Sequence, residues 1–203
     1  ITQESNGYRM DEFLESTQII DWRHESILAV ARDLTREKSD ELSTARRVFA
    51  WVRDEVDHSM DFSRSDVTCR ASEVLEKRTG FCYAKSHLLA ALLRACGISA
   101  GFCYQRLSVN DDGTEFCLHG LNAVFLQEYG WYRVDARGNT DSIQAEFSPP
   151  QEQLAFAISV EGEADLPGIY AAPLPLVVDA LSSAESVQQL AANLPDMEPS
   201  ISE

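Results

Sequence analysis

The stretch that decides the fold is residues 81–96, F-C-Y-A-K-S-H-L-L-A-A-L-L-R-A-C. It is rich in Ala and Leu, contains no Pro or Gly, and is followed by Gly97, a residue suited to ending a helix. The segment Phe81–Cys96 is therefore predicted to form one helix. Its apolar residues are nearly continuous from Leu88 to Leu93, and we expect a helix that is apolar on most sides to be buried.

The pattern changes from helical to strand-like after Gly97. Three segments have the composition of strands, and polar turn residues separate them: Ala100–Val109, His119–Leu126 and Trp131–Asp135, with turns at Asn110–Gly113 and Gln127–Gly130. Strands joined by short turns pair antiparallel. The predicted fold class is therefore α+β, with N-terminal helices and a central buried helix packed on an antiparallel sheet.

The first 80 residues are predicted to be mainly helical. Apolar residues recur at steps of three and four over two segments, and the second follows an Asp that can cap it. A polar stretch and a further short helix complete this part of the chain. The predicted elements are helix Ser26–Leu34, cap Asp40, helix Leu42–Val56, loop Asp57–Arg70 and helix Ala71–Lys77, which ends near Gly80.

Charge divides the chain into two unequal parts. Seventeen Lys and Arg against 33 Asp and Glu give a net charge of −16. Residues 1–137 account for −5, whereas residues 138–203 contain no Lys or Arg and account for −11. A surface this acidic repels phosphate backbones and anionic lipid. Nucleic acid and membrane surfaces are therefore not expected as partners.

The length of 203 residues suits a single domain over residues 1–203. We divide it into an N-terminal helical segment, 1–40, a core, 41–140, and an acidic C-terminal arm, 141–203. The arm contains several Pro residues but is too apolar for a disordered tail, so it is predicted to pack on the core. Helix-compatible spacing returns over Val177–Leu194, and the residues from Pro195 onward are expected to fray.

The cysteines indicate a reducing compartment. Their number is odd, there is no C-x-x-C pair, and the first 20 residues do not resemble a signal peptide, so we expect a cytoplasmic protein: Cys69, Cys82, Cys96, Cys103 and Cys117. Their spacing matches no compact zinc pattern. The chain also lacks H-E-x-x-H, P-loop, G-x-G-x-x-G and G-x-S-x-G motifs. No metal or organic cofactor is predicted.

Cys82 is the strongest candidate for a nucleophile. It lies in the first turn of the predicted central helix, where unpaired N–H groups and the helix dipole stabilise an anion. The same N–H groups can stabilise a tetrahedral oxyanion, and Gly80 would let a substrate approach the backbone. Position alone leaves a buried apolar thiol equally open. The other four cysteines are interpreted as structural thiols.

A thiolate nucleophile needs a base, and His119 is the best placed of four histidines. It opens one predicted strand, and Asp135 closes the next strand of the same hairpin. Both numbers are odd, so the two side chains share a face of the sheet if the turn has an odd number of residues or a bulge intervenes. His87 is interpreted as an interior group, and His24 and His58 as solvated residues.

Four segments together resemble the transglutaminase-like superfamily. They are a helix L-S-T-A-R-R-V-F-A-W-V-R-D-E-V (42–56), the stretch from A-S-E-V-L-E-K-R-T-G-F-C to A-C-G-I-S-A (71–100), H-G-L-N-A-V-F-L (119–126) and G-W-Y-R-V-D-A (130–136). Ser99 stands where the family commonly has Pro. The resemblance covers roughly residues 42–140, and its specificity comes from the order of the motifs.

The resemblance implies a papain-like core with Cys82 as nucleophile, His119 as general base and acid, and Asp135 orienting His119. The Cys82 N–H would belong to the oxyanion hole. The second donor is left open, with Gln105 and Tyr104 as candidates on the neighbouring strand. Gly80 and Tyr83, which flank the nucleophile, are further candidates for substrate binding. The arm is where substrate choice or gating would differ from relatives.

The implied reaction is acyl transfer from an amide, peptide or isopeptide bond through a Cys thioester. Hydrolysis is favoured over transfer to an amine. The alternatives are a protein-glutamine transglutaminase, a non-catalytic transglutaminase-like module, and acyl transfer to arylamines. The expected partner is a protein or peptide substrate, basic or amine-bearing if the acidic arm borders the Cys82 cleft. The oligomeric state is left open.

Overall fold

A computed structural model of the chain describes residues 10–37 and 39–199. The N-terminal segment is thus described from Met10 onward, except for Lys38. The helices are a 3₁₀ turn at Met10–Leu14, α1 (Glu25–Leu34), α2 (Glu41–Glu55), α3 (Ala71–Lys77), α4 (Cys82–Ala95), α5 (Pro175–Ser183) and α6 (Val187–Ala191). The strands are β1 (Asp57–His58), β2 (Thr79–Gly80), β3 (Ala100–Ser108), β4 (Phe116–Leu126), β5 (Gly130–Val134), β6 (Glu146–Ser148), β7 (Gln151–Gln153) and β8 (Ala164–Asp165).

Helix α4 lies at the centre of the molecule, and every residue from Cys82 to Arg94 is buried. Helices α1 to α3 cover it on one side, and strands β3 and β4 lie against the other. The helix ends where Gly97 adopts a φ of 77°, which a glycine takes without strain. The central buried helix and the antiparallel sheet predicted from sequence are both confirmed.

Two buried cations on α4 tie neighbouring segments to it. The guanidinium of Arg94 donates to the backbone carbonyls of Ala100, Glu15 and Ala171, which belong to β3, the N-terminal segment and the arm. The Lys85 ammonium donates to the carbonyls of Arg53 and Val56 at the C-terminal end of α2. Since helix carbonyls there lack intrahelical partners, Lys85 acts as their cap.

The main sheet has the strand order β5-β4-β3-β8, with antiparallel neighbours throughout. In β4, the backbone at Gly120 meets α4 so closely that an added Cβ would lie 2.8 Å from the Tyr83 ring. Asn122 on the same face donates to the Ser86 carbonyl of α4 and to Gly101 of β3. Gly120 and Asn122 of β4 therefore face the helix.

The N-terminal half matches the predicted elements with two differences. Asp40 caps α2, accepting from the Ser43 N–H at 2.7 Å, as predicted. Helix α3 has the predicted bounds Ala71–Lys77, but the residue that ends it in the left-handed conformation is Arg78, with a φ of 53°, and not Gly80. Gly80 instead belongs to β2, which pairs in parallel with β1 inside the segment predicted as a loop.

The arm departs from prediction at its end. The helical spacing of 177–194 is divided between α5 and α6. Fraying from Pro195 is wrong for the described residues, because the Pro195 carbonyl accepts from the Leu118 N–H at 2.8 Å. Asp196 forms a bidentate pair with Arg106, both at 2.7 Å. The end of the arm is therefore fixed to β3 and β4.

Ion pairs join the arm to the core at three arginines. Arg53 binds Glu146, Arg133 binds both Glu152 and Asp165, and Arg106 binds Asp196. Four of the arm's carboxylates are thus neutralised by cations of the core.

Among residues 10–37 and 39–199, no helix is long and apolar enough to span a membrane.

Candidate active site

Cys82 is the first residue of α4 and lies just beyond the two-residue strand β2. Phe81 precedes it in an extended conformation, so the chain turns directly from strand into helix. The first N–H groups of a helix have no intrahelical partner, and Cys82 lies at that end of α4. Cys82 is nearly buried, with 5% of its surface exposed, and that surface opens into a cleft.

His119 and Asp135 come together across the β4–β5 hairpin. The turn between these strands has three residues, 127–129, so odd-numbered residues pair with odd-numbered residues without a bulge. The last registered pair is Asn122 with Val134, and β5 leaves β4 after it. Asp135 can then turn towards His119, and its Oδ2 lies 2.7 Å from His119 Nε2.

Backbone donors complete the environment of Asp135. The Arg137 N–H donates to Oδ1 and the Ala155 N–H, from the arm, donates to Oδ2, both at 3.1 Å. Burial opposes ionisation of this carboxyl group, but the charge and hydrogen bond of His119, together with these two donors, lower the pKa of Asp135. Asp135 is therefore an ionised acceptor, and His119 donates its Nε2–H to it.

His119 contacts Cys82 as well as Asp135. Burial would lower the pKa of His119, but the negative charges of Asp135 and of the Cys82 thiolate, with hydrogen bonds to both, raise it to about 10. Because Nε2 is bound to Asp135, Nδ1 is the ring nitrogen left for Cys82. The Phe156 ring packs edge-on against the imidazole, with the ring centroids 4.9 Å apart.

A cleft of about 540 Å³ opens over Cys82 and His119. The core supplies most of its walls, and the arm supplies the rest from Ala155, Phe156, Ala157, Ser159, Glu163 and Leu194. The acidic arm therefore borders the cleft. The acidic side chains lining it are Asp111 and Glu163, and the basic one is Arg137.

A model of the transglutaminase-like superfamily matches residues 28–136, more than half of the chain. The chain belongs to the transglutaminase-like superfamily. The matched region contains Cys82, His119 and Asp135. A comparison with curated protein sequences gave no significant match.

Two solved structures are similar to this chain, and the first of them has the same fold. One is a candidate cysteine protease from Cytophaga hutchinsonii, with a TM-score of 0.52 and 18% identity over 66% of this chain and 43% of that chain. Another is the periplasmic domain of TgpA from Pseudomonas aeruginosa, with a TM-score of 0.48 and 18% identity over 63% of this chain and 46% of that chain. The chain thus covers less than half of each of these solved chains.

Gly80 and Tyr83 flank the nucleophile in this transglutaminase-like chain, but both are used in packing. A Cβ on Gly80 would lie 3.1 Å from Ala84 Cβ and 3.3 Å from Thr68 Oγ1, so protein atoms fill the space that a substrate would need. The Tyr83 hydroxyl donates to the Leu118 carbonyl and is buried. Neither residue lines the cleft.

Gln105 and Tyr104, the two candidates for a second oxyanion donor, point elsewhere. Gln105 pairs with His119 in the β3–β4 register, but its amide nitrogen donates to Asp165 Oδ1 at 3.1 Å in a neighbouring pocket. Tyr104 is buried, and its hydroxyl accepts from the Leu174 N–H at 3.1 Å. Neither side chain lines the cleft over Cys82.

His58 is the residue that the sequence interpretation missed. Predicted to be solvated, it is only 5% exposed and lines the cleft beside Phe81 and Cys82. Its ring packs on Phe81 with the centroids 5.2 Å apart. The only sequence signal was a His shortly upstream of the Cys motif in a polar segment, and that signal does not separate solvated from buried positions.

The remaining histidines agree with the sequence interpretation. His24 is exposed and caps α1, with its Nδ1 accepting from the Ser26 N–H. His87 is fully buried in α4, and its Nδ1 lies 2.7 Å from the Cys69 carbonyl. Burial lowers the pKa of His87 to about 4, so it is neutral.

Of the other cysteines, Cys117 lines the same cleft as Cys82 and His119. Burial raises the pKa of Cys117 and of Cys96 to about 11, and that of Cys103 to about 12. Burial also raises the pKa of Cys69. All four are therefore protonated near neutral pH.

In the part of the chain that the structure describes, no group of three or more His, Cys, Asp or Glu could hold a metal ion.

Proposed function

We propose that this protein is a cysteine acyl-transfer enzyme that cleaves an amide, peptide or isopeptide bond through a thioester on Cys82. The observation that carries the proposal is the arrangement around His119. Its Nε2 is 2.7 Å from Asp135 Oδ2, and its other face meets Cys82 at the start of a buried helix. Nucleophile, base and orienting carboxylate in this relation are the parts that thiol acyl transfer needs.

The elevated pKa of His119 defines its role. An imidazole with a pKa of about 10 is protonated near neutral pH, so His119 has a proton to give to a leaving group. Cys82 attacks the carbonyl carbon, the carbonyl electron pair moves to the oxygen, and the N–H groups at the start of α4 stabilise the oxyanion. His119 then gives its proton to the departing amine, and a thioester on Cys82 remains.

Resolution of the thioester decides the product. Water, activated by the now neutral His119, gives hydrolysis, which remains the favoured outcome. An amine acceptor gives transamidation. Asp111 and Glu163 are the acidic groups of the cleft, while the one arginine there, Arg137, is already paired with Asp61 at 2.6 Å. This charge balance supports a basic or amine-bearing protein or peptide substrate.

The first test is reactivity of the cysteines at neutral pH. Iodoacetamide should alkylate Cys82 faster than the four protonated thiols, as mapped by peptide mass spectrometry. With a library of fluorogenic peptide amides, Cys82→Ala should lower the rate by at least about 10³-fold. Cys117→Ala, which removes a thiol from the same cleft, is the matched control and should keep most of the activity.

Product analysis separates the alternatives. Release of free carboxylate indicates hydrolysis, whereas incorporation of an added primary amine indicates a transglutaminase. Equal labelling of all cysteines, with no amidase or transamidase activity in the wild-type protein, would instead support a non-catalytic module. Activity that survives Cys82→Ala would contradict the role of Cys82. The predicted cytoplasmic location stays a prediction, and it bears on the reaction because the nucleophile must be a reduced thiol.

A further inference from the structure

We propose that His58 is the side-chain donor of the oxyanion hole and works with the backbone N–H of Cys82. This inference rests on the proposed function and assigns the second donor that Gln105 and Tyr104 do not supply. It makes His58 a catalytic residue, because its N–H would touch the oxygen of the reacting carbonyl.

The backbone fixes His58 beside the nucleophile. Strand β1 pairs in parallel with β2, and His58 is registered opposite Gly80, two residues before Cys82. The Ser59 N–H donates to the Gly80 carbonyl at 3.1 Å. On the side-chain level, the His58 ring packs on Phe81, the residue between Gly80 and Cys82. His58, Cys82 and His119 consequently line one cleft.

The imidazole of His58 is buried, and neither of its nitrogens forms a hydrogen bond with the described residues. Its Nδ1 is fully buried and has no hydrogen-bond partner among the described residues. Asp61 Oδ1 is 3.7 Å from Nδ1, beyond hydrogen-bond distance, and both oxygens of Asp61 are held by Arg137. Because Nδ1 is closed off from the cleft that His58 lines, Nε2 is the nitrogen that can direct an N–H towards a carbonyl oxygen there.

The protonation state of His58 suits a donor that must not compete with His119 as an acid. Burial, followed by the positive charge of Arg137, lowers the pKa of His58 to about 3. The ring is therefore neutral and has one N–H. No hydrogen bond within the protein fixes the tautomer, so the N–H can lie on the nitrogen that faces the carbonyl.

His58 keeps its proton during the attack of Cys82 on the carbonyl carbon, because it only donates a hydrogen bond. The Cys82 sulfur forms a bond to the carbonyl carbon, the π electron pair moves to oxygen, and His58 and the Cys82 N–H donate hydrogen bonds to that oxyanion. The oxyanion then collapses and the leaving group departs. Removing one such donor typically slows this step by about 10²- to 10³-fold.

Two reactions of Cys82 separate an oxyanion donor from a structural role. Acylation by p-nitrophenyl acetate passes through an oxyanion and releases p-nitrophenolate in a burst. Alkylation by iodoacetamide is a direct displacement with no oxyanion. His58→Phe keeps a planar ring without an N–H, whereas His58→Gln keeps a donor. His24→Asn, at an exposed histidine remote from the cleft, is the matched control.

We expect His58→Phe to slow acylation by about 10²-fold and to leave alkylation within about threefold of wild type. His58→Gln should recover at least about tenfold of the loss. If acylation is as fast in His58→Phe as in wild type, or if alkylation slows equally, the donor role is overturned. If wild-type protein shows no Cys82-dependent acylation at all, the proposed function fails first, and the two failures are thereby distinguishable.

Discussion

His119 lies between Asp135 and Cys82 in a buried site, and its interactions with both raise a pKa that burial alone would lower. The fold supplies the compensation from three separate parts of the chain. Asp135 follows β5, Cys82 begins α4, and the Ala155 N–H that helps to hold Asp135 comes from the arm. The chemistry of one imidazole thus depends on the relative placement of all three.

Replacing the thiol should change the titration of His119. In Cys82→Ser the interactions of the sulfur with the imidazole are lost, so the pKa of His119 should fall from about 10. NMR titration of the His119 ring carbons measures it. Cys117→Ser should leave the midpoint unchanged. An unchanged midpoint in Cys82→Ser would contradict contact between the sulfur and the imidazole.

The same pKa predicts a pH dependence of stability. The pKa of His119 is about 10 in the folded protein, above its ordinary value of 6.5. Its contribution is therefore fully present below pH 6.5 and is lost as the pH rises through 10. The urea midpoint of wild type should fall across this range relative to that of His119→Gln.

That comparison with His119→Gln is needed because Lys85 acts in the opposite direction. Burial lowers the pKa of Lys85 from 10.5 to about 7, so its neutral form makes folding more favourable as the pH rises. Both proteins contain Lys85, and its effect cancels in the difference. A difference between the two proteins that does not change from pH 6.5 to pH 10 would contradict the elevated pKa of His119.

At the scale of elements, the contact between α4 and β4 positions the site. Gly120→Ala would place a Cβ 2.8 Å from the Tyr83 ring, which is held by its bond to the Leu118 carbonyl. We expect a loss of about 1–3 kcal/mol in the free energy of unfolding, measured by urea denaturation. In Tyr83→Leu the clash is relieved, so the double variant should cost less than the sum of the two single variants. Additive costs would contradict this packing.

The elements show which kind of information the sequence contains. Helix α4 and the β4–β5 hairpin are specified by local pattern and turn length, so the sequence predicts that Cys82, His119 and Asp135 lie near one another, as they do. The place of His58 depends instead on a two-residue parallel pairing between segments about twenty residues apart, which no local pattern predicts. The hydrogen bond that turns the Gln105 amide towards Asp165 is not predicted from a local pattern either, because the two residues are sixty positions apart in the chain.

At the scale of the whole molecule, the acidic residues of the arm form ion pairs with arginines of the core and so help to hold the arm in place. Arg133 illustrates it, since it binds both Glu152 and Asp165 of the arm. Arg133→Gln would leave both carboxylates without their cation. Hydrogen exchange should then quicken over residues 152–165. Arg36→Gln, which removes an exposed pair with Asp33, is the matched control and should leave the arm unchanged. Equal exchange in both variants would contradict the docking role.

The position of Ala155 and Phe156 in the chain also bears on when activity arises during synthesis. The ribosome makes Cys82, His119 and Asp135 before it makes the two residues that hold Asp135 and cover His119. A nascent chain that stops near residue 140 would have the reactive thiol but neither of these contacts. The surroundings of His119 and Asp135 would then be complete only after residues 155 and 156 have been synthesised and have packed on the core.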